Sequence, residues 1–119
     1  MQAAYTDENT KIMIQTKSGH QITMNDKSGE ESIVIGDKSG KRTITFNVKD
    51  KKFLIEASEG DIYISAEKKI VLDCEDLEIK TSKTGKIDIG STFDLNVKDK
   101  ANIKAGPQLN IKASRVNIN

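Results

Sequence analysis

Apolar and polar residues alternate along most of the chain, which places successive side chains on opposite faces of a β-strand. No stretch keeps the i, i+3, i+4, i+7 spacing of an amphipathic helix. The sequence therefore predicts an all-β protein with about a dozen short strands. The predicted inward positions are Ile12/Ile14, Ile22/Met24, Ile33/Ile35, Ile44/Phe46/Val48, Phe53/Ile55, Ile62/Ile64, Ile70/Leu72, Leu77/Ile79, Ile87/Ile89, Phe93/Leu95/Val97, Ile103/Ala105, Leu109/Ile111 and Val116/Ile118.

An eight-residue repeat organises the second half of the chain. The residues on one strict register are Ile79, Ile87, Leu95, Ile103 and Ile111. We predict that they form a structural core. A second column, two residues further along, becomes smaller toward the C-terminus, from Ile89 to Ala113. Before Phe53 the spacing between apolar pairs lengthens to 10 and 11 residues.

An octad provides one straight strand and one corner, because a strand of five or six residues spans about 17 to 20 Å. A single-chain β-solenoid closes a turn with about three such strands, and the sequence has no stronger repeat at 24 residues. A prism of three intertwined chains uses one octad per face. The predicted fold is therefore an intertwined homotrimeric β-helix, a triangular needle in its C-terminal part, with a wider-cornered β-strand region at the N-terminus.

The composition agrees with a core shared among chains. Only 35% of the 119 residues are hydrophobic, 4% are aromatic and Trp is absent. Three narrow apolar stripes facing one axis would bury these residues, whereas an isolated monomer would expose its stripe and its strand edges. We expect a flexible lead-in over residues 1–11, a wide-cornered base over 12–60 and an octad-repeat needle over 61–119.

The tripeptide KSG occurs three times within the wide-cornered region. Glycine tolerates positive φ and serine hydrogen-bonds to nearby backbone, so these positions are predicted to be structural turns and not ligand sites. Two topologies stay open: the turns join antiparallel hairpins, or they pass the chain to the next face of a prism. The predicted turn residues are Ser18, Gly19, Ser28, Gly29, Ser39 and Gly40.

Charge and cysteine content narrow the class of protein. Nineteen basic and eighteen acidic residues are interspersed, for a formal charge of +1, which argues against a nucleic-acid partner. The single cysteine, Cys74, excludes an internal disulfide and fits a reducing cytosol. The sequence has neither a membrane-spanning apolar run nor a recognisable export signal. It also lacks a phosphate-binding glycine loop, so neither a small-molecule substrate nor a cofactor is expected.

The residues that suggest chemistry are interpreted structurally. His20 is the one histidine, and a metal site would need three copies on a trimer axis, so we predict a structural or surface role. Cys74 has no histidine nearby in sequence and is predicted to be an inert thiol. Acidic groups such as Asp73/Glu75/Asp76 and Glu30/Glu31 are interpreted as solvated charges, since a glycosidase groove normally carries aromatic sugar platforms. No catalytic residue and no metal site are predicted.

Residues 11–47 resemble the segment that opens the C-terminal β-helix of VgrG-type spike proteins. The same family includes the central spikes of contractile phage tails. That segment leads into a tapering repetitive needle, and the octads here resemble the needle. The residues that match the family pattern are Thr16, Ser18, Gly19, His20, Ile22, Asp26, Gly29, Glu31, Ile33, Ile35, Asp37, Lys38, Ser39 and Gly40.

The resemblance implies a homotrimeric spike that punctures a target envelope when a sheath contracts, in type VI secretion, a phage-tail-like particle or a phage baseplate. Such a protein is assembled in the bacterial cytoplasm and then delivered outside the cell. Family members join baseplate and tail-tube proteins through upstream domains, which this sequence lacks. The expectation is therefore either a fragment whose upstream domains make these contacts, or a short spike with its own N-terminal base from a machine that divides these roles among several chains.

The C-terminal end suggests a partner. Some phage spikes hold iron at the tip through His-x-His pairs, and the last six residues contain no histidine. The resemblance implies that a blunt spike end receives a PAAR-type tip protein, here at Val116, Asn117, Ile118 and Asn119. Two other classes stay open: a trimeric fibre or tailspike module that binds a receptor or glycan, and a single-chain β-solenoid enzyme, which would be a monomer with a groove.

Overall fold

A computed structural model describes residues 2–5 and 10–119. The described chain is all-β, as the alternating pattern predicts, and contains no helix long and apolar enough to cross a membrane. It divides into two units, Met1–Asp73 and Cys74–Asn119. Of the predicted lead-in over 1–11, Met1 and residues 6–9 lie outside the described residues.

The first unit contains one antiparallel sheet in which every strand pairs with its neighbour in sequence, in the order β1-β2-β3-β4-β5-β6. The hairpin alternative therefore describes the KSG turns correctly. The strands are β1 (Gln2–Tyr5), β2 (Lys11–Gln15), β3 (Gln21–Asn25), β4 (Ser32–Gly36), β5 (Arg42–Asn47) and β6 (Lys52–Ala57).

The register of the sheet places the predicted inward residues opposite one another. Ile14 pairs with Ile22, and Ile33 pairs with Phe46. Phe46 in turn pairs with Phe53, their ring centroids 4.8 Å apart. Such directly opposed apolar pairs are the main stabilising contacts between antiparallel strands.

All residues between 58 and 119 are described, and none of them forms a strand within the chain, although the alternation predicts eight strands there. A strand needs a neighbour for its backbone N–H and C=O groups, and no other described segment, over 2–5 and 10–57, pairs with these residues. In the second unit the side-chain contacts are short-range, such as the ion pair between Lys86 and Asp88 at 3.4 Å.

Candidate functional site

Three corners of the chain meet at one end of the sheet and form what we call the turn cluster, residues 16–20, 37–42 and 58–60. The first and third KSG turns contact each other there, because the backbone N–H of Lys38 donates to Nδ1 of His20 at 3.1 Å. The corner after β6 joins them through the Ser58 N–H, which donates to the Lys41 carbonyl at 2.8 Å. The two KSG turns meet because an antiparallel sheet brings every second corner to the same end.

The first and third KSG turns share one geometry. In each, the glycine N–H donates to the carbonyl three residues earlier, Gly19 to Thr16 and Gly40 to Asp37, both at 3.0 Å. Gly19 has φ of 108° and Gly40 has φ of 71°, values that disfavour residues with a Cβ. The tripeptide therefore occupies the last three positions of a β-turn whose first residue is polar.

The middle KSG turn lies at the opposite end of the sheet and has a different geometry. Its turn is closed by the Glu30 N–H, which donates to the Lys27 carbonyl at 2.9 Å, so Gly29 occupies the third turn position. Glu31 stabilises this corner by accepting a hydrogen bond from the Gly29 N–H at 3.1 Å. One tripeptide thus supports two turn geometries, and the preceding residue does not decide between them, because Asp26 precedes the middle KSG and Asp37 precedes the third.

Asp37 connects much of the turn cluster. One carboxylate oxygen accepts hydrogen bonds from the Ser39 hydroxyl at 2.6 Å and from the Gly40 N–H at 3.1 Å. The other accepts from Nε of Arg42 at 2.6 Å. The Ser39 hydrogen bond, and then the hydrogen bond and charge of Arg42, lower the pKa of the Asp37 carboxyl.

Arg42 and Lys41 connect the third turn to the corner after β6. Nη1 of Arg42 donates to the Glu59 carbonyl at 3.1 Å, and Lys41 forms an ion pair with the Glu59 carboxylate. These groups are exposed, so the ion pair itself contributes little to stability. The cluster orients corners, and its hydrogen bonds stay within the backbone and the turn side chains.

One face of the sheet carries a continuous set of apolar side chains, which we call the apolar sheet face. None of these side chains is buried in the single chain; Phe53 is 57% exposed, Ile55 53% and Phe46 43%. The members of the apolar sheet face are Ile12, Ile14, Ile22, Met24, Ile33, Ile35, Ile44, Phe46, Phe53 and Ile55.

The apolar sheet face continues to the first inward residue beyond the sheet. A hollow of about 340 Å³ is lined by Ile35, Ile44 and Ile55 together with Ile62. Asp37 and Arg42 of the turn cluster border the same hollow. Its apolar wall is thus shared by the sheet and by the residues that lead out of it.

The predicted core residues of the octads are exposed to a similar degree along the second unit. Each apolar side chain on the register has between 66% and 79% of its surface exposed: Ile79 79%, Ile87 76%, Leu95 66%, Ile103 72% and Ile111 69%. At the predicted tip, Val116 is 51% exposed and Ile118 is 88% exposed, with Asn117 and Asn119 exposed beside them.

The other candidate residues lie on exposed parts of the chain. Cys74 is an exposed free thiol, and Glu30 contacts Lys27 at 3.7 Å. Asp73, Glu75 and Asp76 are exposed. Within residues 2–5 and 10–119, no three His, Cys, Asp or Glu side chains come close enough together to hold a metal ion.

Two residues with structural roles did not stand out in the sequence. Thr16 accepts a hydrogen bond from the His20 N–H at 3.0 Å through its hydroxyl, and Arg42 links Asp37 to Glu59. The signal for Thr16 is its place three residues before glycine, equivalent to that of Asp37. Arg42 has no comparable signal, because its role depends on the corner after β6.

No protein-family model matches this chain, and no curated protein matches it.

Proposed function

We propose that the chain is the puncturing spike of a contractile injection system, acting as a homotrimer and without enzymatic activity. The observation that carries this proposal is the exposure of the octad register, between 66% and 79% for Ile79, Ile87, Leu95, Ile103 and Ile111. An apolar stripe that repeats every eight residues fits a partner with the same repeat, and identical copies of the chain supply it.

The residues between 58 and 119 give the same proposal independent support. Their backbone forms no strand within the chain, so its N–H and C=O groups are available to neighbouring chains. Three intertwined copies satisfy these groups and bury the stripe at once. Outward residues such as Lys98, Asn102 and Lys104 would stay in water and keep the assembly soluble.

The resemblance of residues 11–47 to VgrG-type spikes supports a piercing role for the trimer. A spike acts mechanically, which agrees with the absence of a proposed catalytic group. Its partners would be baseplate and tail-tube proteins at the N-terminal base, a PAAR-type protein at residues 116–119, and a target envelope during injection. The protein would be assembled in the bacterial cytoplasm and delivered outward.

Light scattering behind size exclusion tests the trimer. The expected mass is three times the chain mass of 13.1 kDa. An unheated SDS gel should retain a trimer band, because intertwined chains separate only by unwinding. A folded protein with the mass of one chain would end the trimer proposal and the spike proposal with it.

Gold-labelled antibodies against the chain, viewed by electron microscopy of particles from the producing cells, test the piercing role. The label should lie at one end of extended sheaths, and a strain that lacks the chain should fail to deliver cargo. Label on lateral fibres, together with binding of the purified trimer to cell-surface glycans, would instead indicate the receptor-binding alternative.

A further inference from the structure

The octads of the second unit can align with one another in more than one way. Because Ile79, Ile87 and Leu95 follow one another at the same spacing, a copy displaced by eight residues still places an apolar residue opposite an apolar residue. Such a displaced trimer loses contacts only at its ends. Once the chains are intertwined, correcting the displacement requires unwinding, so the alignment has to be set before the octads assemble.

The sheet of the first unit lacks this ambiguity. Its corners are 4 to 6 residues long and its aromatic pair, Phe46 and Phe53, occurs once on the apolar sheet face. The sheet also forms from local contacts, since every strand pairs with its sequence neighbour. Local pairing is the fast step of folding, whereas contacts between chains wait for encounter.

We infer that the apolar sheet face packs against the same face of two further copies and thereby sets the alignment of the three chains before their octads assemble. This inference rests on the proposed trimer and adds to it a division of roles between the two units.

The size of the apolar sheet face supports identical copies as its occupant. Taking roughly 200 Å² for each apolar side chain in an extended chain, the six most exposed members present about 500 to 600 Å² to solvent. Their exposed fractions range from 36% for Ile44 to 57% for Phe53. That area reaches the upper end of the apolar patches found on monomers and approaches one partner's share of a stable interface.

Continuity gives a second reason. The hollow that joins Ile35, Ile44 and Ile55 to Ile62 extends the face into the first inward position beyond the sheet. A partner that covers the apolar sheet face therefore also reaches the start of the alternating pattern that continues into the octads. A second copy of this chain carries the same face and the same Ile62, so one partner fits both.

Two substitutions on neighbouring residues of β6 test the inference in the full chain. Phe53→Lys introduces a charge on the apolar sheet face, and Leu54→Lys introduces it on the opposite face. In the single chain Leu54 is half-buried while Phe53 is 57% exposed, so intrachain packing alone predicts that Leu54→Lys is the more disruptive change. Packing between copies through the apolar sheet face predicts instead that Phe53→Lys is the more disruptive change, because it places a charge in the interface.

The alignment is measured with a spin label in the second unit, at Lys104→Cys in a Cys74→Ser background, by pulsed electron paramagnetic resonance. Aligned copies give one narrow distance between labels. Displacement by an octad moves one label by a layer, about 4.8 Å along the axis, and adds a second distance. Light scattering on the same samples gives the number of chains.

We expect a trimer with one distance for the labelled parent and for Leu54→Lys. Phe53→Lys should give trimers with a second distance, or fewer trimers, and the milder Phe53→Ser should give a smaller fraction of the second distance. A labelled parent with the mass of one chain would overturn the proposed function itself. A parent trimer whose Phe53→Ser variant keeps one distance would overturn only the role of the sheet, as would a greater effect of Leu54→Lys.

Discussion

Replacing Gly19 with alanine probes the contact between the first and third KSG turns. Gly19 has φ of 108°, and a Cβ on it would lie 3.1 Å from Cβ and 3.8 Å from Cα of Lys38. These atoms cannot swing away as the end of a flexible side chain could. Lys38 is also held in place, because its N–H donates to Nδ1 of His20. The added methyl group therefore meets both an unfavourable backbone conformation and an occupied space.

Gly40→Ala is the matched control. Gly40 closes the third KSG turn in the same turn position, with φ of 71° and nothing within 4 Å of a built Cβ. Alanine at Gly40 should cost about 1 to 2 kcal/mol, the usual cost of the left-handed region. At Gly19 the strained backbone costs about 1 to 3 kcal/mol, and forcing a methyl group into filled space adds about 1 to 3 kcal/mol.

Urea unfolding followed by circular dichroism, at equal chain concentration, compares the two variants. Each variant carries its substitution in every copy of the chain. The ratio of the two midpoint shifts therefore does not depend on the number of chains in the assembly. We expect Gly19→Ala to lower the urea midpoint at least about twice as far as Gly40→Ala, with an unchanged slope. It should also speed hydrogen exchange at the Lys38 amide. Equal midpoint shifts would show that the turns separate at no cost, and would refute the turn cluster as a packed unit.

Further predictions concern His20, Asp37 and the tip. The Lys38 N–H can only donate, so neutral His20 should carry its proton on Nε2, and nitrogen NMR shifts that indicate an Nδ1 proton would contradict this hydrogen bond. The lowered pKa of Asp37 means that its stabilising effect is present above the ordinary aspartate pKa and is lost as the pH falls through the lowered value. Asp37→Asn should therefore lower the urea midpoint at neutral pH and flatten its fall as the pH drops below the ordinary aspartate pKa; an unchanged acid slope would contradict this. Deleting residues 116–119 should abolish binding of a PAAR-type protein while leaving the trimer mass unchanged, and intact binding would exclude the tip as its site.

The pairing within the sheet could be predicted from the sequence because alternation leaves little freedom. In a strand with one apolar face, a slip of one residue would move every apolar side chain to the other face. Ile14 and Ile22, or Ile33 and Phe46, were therefore expected on one face, and the register places them opposite each other. Alternation does not determine the direction of the next strand. The sequence is therefore compatible both with antiparallel hairpins and with a chain that passes to the next face of a prism.

The opposite face of the sheet was harder to predict. Met13, Val34 and Leu54 form its central row together with two threonines, as the register shows. Strands such as "KIMIQ" and "SIVIG" have three apolar residues in succession. The alternating pattern assigns the two outer ones to the inward face and makes no assignment for the middle one, Met13 or Val34. The turn residues of the turn cluster were predicted, but the contacts between its turns could not be, because the hydrogen bond between His20 and Lys38 joins residues eighteen positions apart in sequence.

The backbone of the corners explains why one part of the chain pairs with itself and the other does not. The described residues with positive φ are Gly19, Gly29, Gly40, Lys51 and Gly60. The first four each lie in a corner that reverses the chain within the sheet, and Gly60 follows its last strand. From residue 61 to 119 no residue has positive φ, although three glycines occur there.

Tight reversal between antiparallel strands commonly requires a residue with positive φ, and octad corners such as "KDK" at 98–100 offer no glycine for it. A chain that does not reverse cannot pair with its own preceding strand, because neighbouring parallel strands need a long crossover. The octads therefore leave their strand hydrogen-bonding groups unpaired and their apolar stripe exposed in the single chain. The feature that separates the antiparallel sheet from the octads is thus positive φ at the corners, and the alternation that both share does not distinguish them.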